Sequence, residues 1–275
     1  MEDSIFMFDN QSLHYKYYTT DNNNAIIILV HGLGEHFGRY EAWAKRLNTF
    51  NYAVCGFDLP GHGLSFGKRG HFPPIDVVFD MITQFIEKVK ADFPNRPYIL
   101  YGHSMGGNIV ANYVIERQPK VNACILTSPW LELPSDPPFF QFLMAKIMYR
   151  IYPAYGDKTH LNESRISRIP EEVEMYKKDP LVHENITPGL FLPLFYRGLK
   201  AILNAKKISI PTYIIHGTAD ELTSYNGSVK FQNNNKDITI KLYEGHCHEL
   251  HNDIDSQKVL EDMLDWMAAK VLYRP

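Results

Sequence analysis

Cysteine is scarce in this chain. Three residues among 275, Cys55, Cys124 and Cys247, are odd in number and far apart. That excludes a disulfide framework, and the absence of Cys-x-x-Cys spacing argues against a zinc or dithiol site. A reducing compartment, by expectation the cytoplasm, fits this usage. No run reaches about 18 uninterrupted apolar residues, so no membrane-spanning helix is expected. The acidic start, Met1-Glu2-Asp3-Ser4, does not resemble a secretory signal. Charge of one sign is also lacking. The formal net charge is -3, which gives no basic field for nucleic acid. No internal repeat stands out.

What is present is an alternation. Short β-branched apolar runs lie at 23–31, 52–58, 97–102, 121–127, 211–216 and 238–243. Helix-length amphipathic segments lie between them near 38–50, 75–93 and 105–117, and a last one near 256–271. Buried strands alternating with helices predict an α/β fold, a mostly parallel sheet covered on both faces. Residues 130–190 break the pattern with prolines and aromatics. There Phe139, Phe140, Phe142, Leu143, Ile147, Met148 and Ile151 form a stripe at helical spacing. Such a stripe is either ordinary core or the inner face of a helical cap over a substrate cavity. Its position between two core strands favours the cap. The expected division is a core of 1–129 and 191–275 with an inserted cap at 130–190.

The strongest motif is Gly102-His103-Ser104-Met105-Gly106-Gly107. It follows a strand-like run and opens a helix-like one. That context makes Gly-x-Ser-x-Gly informative, because the serine must sit on a strained strand-to-helix turn with its hydroxyl exposed. The helix N-terminus then faces a developing oxyanion. Ser104 is the candidate nucleophile. His103 is expected to pack beneath the turn rather than act as a base. A second oxyanion donor should come from the loop after an earlier strand. His31-Gly32-Leu33-Gly34-Glu35-His36 fits, so the N–H groups of Leu33 and Met105 form the candidate pair. His31 and His36 are expected to brace that loop.

In this arrangement the acid precedes the histidine along the chain. Asp220, in the loop after 212–216, is the candidate acid, with Glu221 as its rival. Near the end stand His246, His248 and His251. Their His-x-His-x-x-His spacing could hold zinc only with special loop geometry. One histidine as general base is the better reading, and no metal or other cofactor is called for. Spacing alone leaves His246 and His248 unseparated. Cys247 adjoins the base, so its modification is expected to impair catalysis if the thiol is accessible.

Several longer motifs carry a family resemblance. They are His31 to His36 with Gly38-Arg39-Tyr40, Asp58-Leu59-Pro60-Gly61-His62-Gly63-Leu64-Ser65 with Gly67 to Gly70, and Gly102 to Gly107. Asp179-Pro180-Leu181 and Pro211 to Ser224 complete the set. Over nearly its whole length the chain resembles monoacylglycerol lipases and related lysophospholipases of the α/β-hydrolase superfamily. The resemblance implies an α/β-hydrolase fold with a helical cap and places the base at His248. It also implies a polar head-group pocket at Glu35, Arg39, Tyr176 and His251. The implied activity is hydrolysis of a lipid ester, most simply monoacylglycerol to glycerol and fatty acid through an acyl-enzyme. Lysophospholipase or general carboxylesterase activity shares the framework, and a triad-retaining receptor is the non-enzyme alternative. The cap is expected to line an acyl tunnel and to contact lipid surfaces peripherally. One departure is plain: Leu59-Pro60 replaces the usual His-Arg after Asp58. Lys68 and Arg69 are expected to be solvated loop residues.

Overall fold

Alternation along each central strand decides the layering. In the computed structural model, which describes residues 4–159 and 162–272, the elements follow in this order. Strands β1 (Ser4–Phe8), β2 (Gln11–Tyr18) and β3 (Ala25–Val30) lead to helix α1 (Glu41–Asn48) and β4 (Tyr52–Phe57). Then come α2 (Ile75–Asp92), β5 (Tyr98–His103), α3 (Met105–Arg117) and β6 (Ala123–Thr127). An excursion follows: α4 (Phe139–Ile151), β7 (Asp157–Lys158), α5 (Pro170–Lys178) and β8 (Asn185–Ile186). The chain returns through α6 (Pro188–Asn204), β9 (Thr212–Gly217), α7 (Tyr225–Asn233), β10 (Thr239–Tyr243) and α8 (Ser256–Met267).

Eight strands form one sheet in the order β1-β2-β4-β3-β5-β6-β9-β10. From β4 to β10 every pairing is parallel; β1 and β2 run antiparallel. All six residues of β3 are buried. Ile26, Ile28 and Val30 join the core under α2, α3 and α6, and Ala25, Ile27 and Leu29 join the core under α1 and α8. A period of two splits one apolar run between two faces, which is why it shows no polar alternation.

Helix α2 shows the opposite pattern. Val78, Phe79, Ile82, Phe85, Ile86 and Val89 repeat at three and four residues and bury one stripe. Helix α3 is buried from Met105 to Ile115 because α6 covers its outer side. Its two buried asparagines are satisfied. Asn108 Nδ2 donates to the carbonyls of Trp130 at 2.6 Å and Leu194 at 2.9 Å, and Asn112 Nδ2 donates to that of Arg197 at 3.2 Å. These bonds tie α6 to the core, since an unpaired buried amide is costly.

The expected strands and helices are present with small shifts at their ends. The segment at 38–50 starts as a 3-10 turn, Phe37–Tyr40, before α1 begins. The hairpin β1-β2 was not anticipated. Its signal was there: Asp9 and Asn10, both at positive φ, form a two-residue turn between Phe8 and Gln11.

One expectation fails. The stripe at 139–151 does form a helix, α4, but none of its residues is buried. Phe140 is 78% exposed, and Phe139, Leu143, Met144, Ile147 and Ile151 are exposed with it. Phe139 and Phe140 pack on each other, and Phe142 packs across on Phe191 and Phe195 of α6. The stripe faces outward because α6 offers α4 only a narrow aromatic seam.

Candidate active site

The chain order reverses across the sheet between β3 and β5. β4 follows β3 toward one edge, and β5 and its successors go the other way. Loops leaving the carboxyl ends of two such strands diverge and open a crevice. The loop after β3 carries His31 to Glu35, and the turn after β5 carries Ser104. Val30 and Gly102 are paired in register, so both loops leave at one level.

Ser104 has φ 53° and ψ -116°, a strained conformation for a residue with a side chain. The strain is held from below. The Ser104 N–H donates to Thr127 O at 3.0 Å, and its carbonyl accepts from Trp130 N–H at 2.9 Å. A Cβ on Gly106 would stand 2.0 Å from Val30 O, and one on Gly102 would stand 2.5 Å from Gly106 O. Both glycines are therefore demanded by close backbone approach. Helix α3 starts at Met105, so its N-terminus points into the crevice.

On the facing loop, Gly32 N–H donates to Glu35 Oε1 at 2.5 Å and is not free to bind anything else. Among the described residues, the N–H groups of Leu33 and Met105 take no protein acceptor. Both N–H groups are therefore free to donate elsewhere. His31 braces the loop: its Nδ1–H donates to Gly32 O at 2.8 Å and its Nε2 accepts from Leu59 N–H at 2.9 Å. Leu59, where relatives are expected to carry histidine, keeps the contact because only its backbone is used. His36 Nε2 binds Asp179 Oδ2 at 2.8 Å and fastens the same loop to the segment after α5.

Asp220 follows β9 and His248 follows β10. His248 Nδ1 lies 2.7 Å from Asp220 Oδ2. His246 is turned elsewhere, with Nδ1 3.0 Å from Glu244 O and Nε2 3.5 Å from Asp255. Geometry thus separates two histidines that spacing could not. Glu221 pairs with Arg165, so Asp220 has no competitor. The histidines at 246, 248 and 251 go to different neighbours, and among the described residues no three His, Cys, Asp or Glu side chains are arranged to hold a metal.

The pair is embedded in partners that the sequence did not single out. Asp220 Oδ1 accepts the N–H groups of Leu222 and Thr223, and Oδ2 also meets His216 Nε2 at 3.1 Å and Thr223 Oγ1 at 2.9 Å. Ser128 Oγ donates to the His248 carbonyl at 2.7 Å. Asp253, fully buried, accepts from Cys247 N–H and from the Arg168 side chain, which ties the loop of the base to the excursion. Burial alone would raise the Asp220 carboxyl, but His248 and His216 outweigh it and hold it well below the ordinary range. Burial alone would lower His248, but the Asp220 charge and hydrogen bond raise it above its ordinary value, with help from Glu249 and Glu35. Cys247 is buried and burial pushes its thiol upward, so an accessible, reactive thiol is not what this loop presents.

A cavity of about 250 Å³ opens above these groups. Ser104, His248, Leu33, Glu35, Tyr176 and Glu249 share its wall with an apolar set, Trp130, Leu133, Ile166, Ile186, Phe191 and Leu222. His103 also reaches the wall, 4.8 Å from the His248 ring, although the turn was expected to bury it beneath. It is nearly inaccessible, and burial next to His248 and His251 holds it well below an ordinary histidine, hence neutral.

Of the four head-group candidates, Glu35 and Tyr176 line the cavity, and Arg39 and His251 stand behind it. His251 stacks on Tyr40 at 4.9 Å. No side chain of α4 lines the cavity, so the expected acyl tunnel along the 139–151 stripe is not formed. The apolar wall comes instead from the β6 loop, α6 and the shorter turns. Lys68 and Arg69 are not in the wall either; Lys68 Nζ donates to Ala154 O at 2.6 Å.

The family model for serine aminopeptidase S33 matches residues 21–255. The chain belongs to this family, within the α/β-hydrolase superfamily. Relatives agree along the whole length. A monoacylglycerol lipase of Mycolicibacterium smegmatis is 30% identical over 259 residues, covering 93% of this chain and 92% of its own. Human monoglyceride lipase is 30% identical over 272 residues, 95% of this chain and 88% of its own. The crystal structure of Paleococcus ferrophilus monoacylglycerol lipase superposes with a TM-score of 0.86 at 32% identity, covering 94% of this hydrolase and 99% of that chain.

Proposed function

We propose that this hydrolase cleaves monoacylglycerol to glycerol and a fatty acid, using Ser104, His248 and Asp220. The observation that carries the reading is the composition of one cavity wall. It sets an apolar lining beside Ser104 and places Glu35, Tyr176 and Glu249 next to the base. Such a wall suits an ester that joins a hydrocarbon chain to a small polyol. Full-length relatives that are monoacylglycerol lipases support the same substrate.

In this mechanism Ser104 Oγ attacks the acyl carbonyl while His248 Nε2 takes its proton. Asp220 fixes the tautomer and stabilises the imidazolium. The N–H groups of Leu33 and Met105 hold the oxyanion. His248 then gives the proton to the departing glycerol oxygen, and water enters to deacylate Ser104 by the reverse roles.

The cap, which we take as residues 130–190, would bring the enzyme to lipid. Its helix α4 presents Phe139, Phe140, Leu143 and Met144 outward, with Lys146 and Arg150 on the same helix. Apolar groups flanked by basic ones suit the boundary of an anionic bilayer. Among the described residues no helix is long and apolar enough to cross it, so the contact would be peripheral. Three unpaired thiols fit a reducing compartment.

The test is a substrate panel on purified protein: monoacylglycerols, lysophospholipids, short nitrophenyl esters and amino-acid amides. Monoacylglycerol is expected to have the highest kcat/KM, and Ser104→Ala to lower kcat by roughly 10⁶-fold. Faster turnover of lysophospholipids or amides would remove the substrate assignment and leave the chemistry.

A further inference from the structure

Glu249 immediately follows the base, is fully buried and belongs to the cavity wall. It forms a two-pronged ion pair with Arg39, Nη1 to Oε1 at 2.7 Å and Nη2 to Oε2 at 2.9 Å. Arg39 Nη1 also donates to Glu35 Oε2 at 2.8 Å. The outer face of its guanidinium is covered by the Tyr176 ring, 4.5 Å away. Tyr40 OH donates to Glu35 Oε1 at 2.6 Å, and Asn252 Nδ2 to Glu249 Oε2 at 2.9 Å. One guanidinium against two carboxylates leaves this cluster with a net negative charge. Burial works against the Glu249 anion, but the Arg39 charge and hydrogen bonds hold it far below the usual carboxylate range.

Among the described residues of the wall, acids outnumber lysine. Its acids are Glu35, Glu163 and Glu249, and its one lysine, Lys158, sits 3.1 Å from Glu184. His251 is held down to about 4 by burial, so it is neutral near pH 7. A leaving alcohol must place its ester oxygen within reach of His248. Its remaining atoms then occupy the cavity whose wall His248 shares with Glu249.

We propose that Glu249 is a specificity-determining residue: by saturating Arg39 it makes the alcohol side of the site accept a neutral polyol and reject an anionic leaving group such as a phosphorylated one. This rests on the reading that the leaving group is the alcohol of an acyl ester. Arg39 would be the natural phosphate partner if it were free, because its fork matches phosphate oxygens. With both carboxylates in place, a phosphate meets only like charge in a partly dry site. Such a juxtaposition corresponds to roughly 100-fold in kcat/KM.

The experiment compares kcat/KM for a 1-monoacylglycerol and for its glycerol phosphate counterpart, with the same acyl chain and in the same neutral detergent micelles. A matched pair of short-chain esters of glycerol and glycerol phosphate is run in parallel. The wild type is expected to favour the neutral ester by about 100-fold. Glu249→Gln should narrow that ratio by about 10-fold, and adding Arg39→Gln should cancel the narrowing. Reaction of Ser104 with a fluorophosphonate reports that each variant's site has formed. Wild-type cleavage of both esters within about 3-fold would overturn the proposal, whatever the variants do. So would an unchanged ratio in a Glu249→Gln protein that labels normally. If the long-chain pair is inert and the short-chain pair is cleaved, the lipase reading falls, and the short-chain ratio decides the proposal by itself.

Discussion

Strand β3 and helix α4 are both apolar, and they end in opposite places. All six residues from Ala25 to Val30 are buried, divided between two cores. None of the thirteen from Phe139 to Ile151 is. Hydrophobicity is therefore not what separates them; the supply of partners is. β3 has a strand on each side and a helical layer on each face, and so loses nearly all its apolar surface to water-free contacts. Among the described residues the main partner of α4 is α6, which engages Phe142 and leaves most of the helix exposed. A helix in that position keeps a large apolar area exposed. Two of the three candidate catalytic groups sit on the first kind of element. Ser104 and Asp220 follow the carboxyl ends of the buried inner strands β5 and β9, whereas His248 follows β10, an edge strand that is only partly buried.

This contrast can be pushed until it breaks. The largest effect is expected where the buried scaffold meets the chemistry. Asp220→Asn keeps the shape but presents an amide to His248 and His216, and should lower kcat by roughly 10⁴-fold with little change in KM. Steady-state kinetics check it, and a loss under tenfold would mean that Asp220 does not orient the base.

Next comes the scaffold itself. Ile28→Ala in β3 should cost about 3 kcal/mol of stability, and Phe140→Ser in α4 less than about 0.5 kcal/mol. Phe140→Ser should instead weaken binding to anionic vesicles, with turnover of a water-soluble ester unchanged. Denaturant titration and vesicle sedimentation separate the two; equal destabilisation would show that α4 is covered after all.

The smallest effect concerns pH. The base must be neutral to accept the Ser104 proton, and His248 has a raised pKa, so kcat/KM should fall as pH drops through a value above 6.5. Glu249 contributes to that elevation, and Glu249→Gln should move the acid limb to lower pH. A pH profile of a soluble ester measures both.

Much of the site was legible before folding because its signals are local. Gly102, Ser104 and Gly106 lie within five residues, and a tight turn between strand and helix has few sequence solutions. The loop from His31 to Glu35 is local in the same way. What could not be read was long-range. Ser128, at the end of β6, reaches the His248 carbonyl from 120 residues away, and nothing in its immediate sequence marks it. Glu249 looks like any surface glutamate until Arg39, 210 residues earlier, is brought to it. His246 and His248 stand on either side of Cys247, and the direction of their rings is what separates them.

The sequence by itself singled out the candidate nucleophile, the order of the candidate acid and base, and the strands that precede them. Each of these depends on residues a few positions apart and on the periods of two and 3.6 that local backbone geometry imposes. The tertiary structure alone decided which histidine meets Asp220, that the α4 stripe looks away from the cavity, and that Arg39 is already paired. Those outcomes depend on which distant surfaces touch, and contact between distant surfaces is settled by packing of the whole chain rather than by any segment of it.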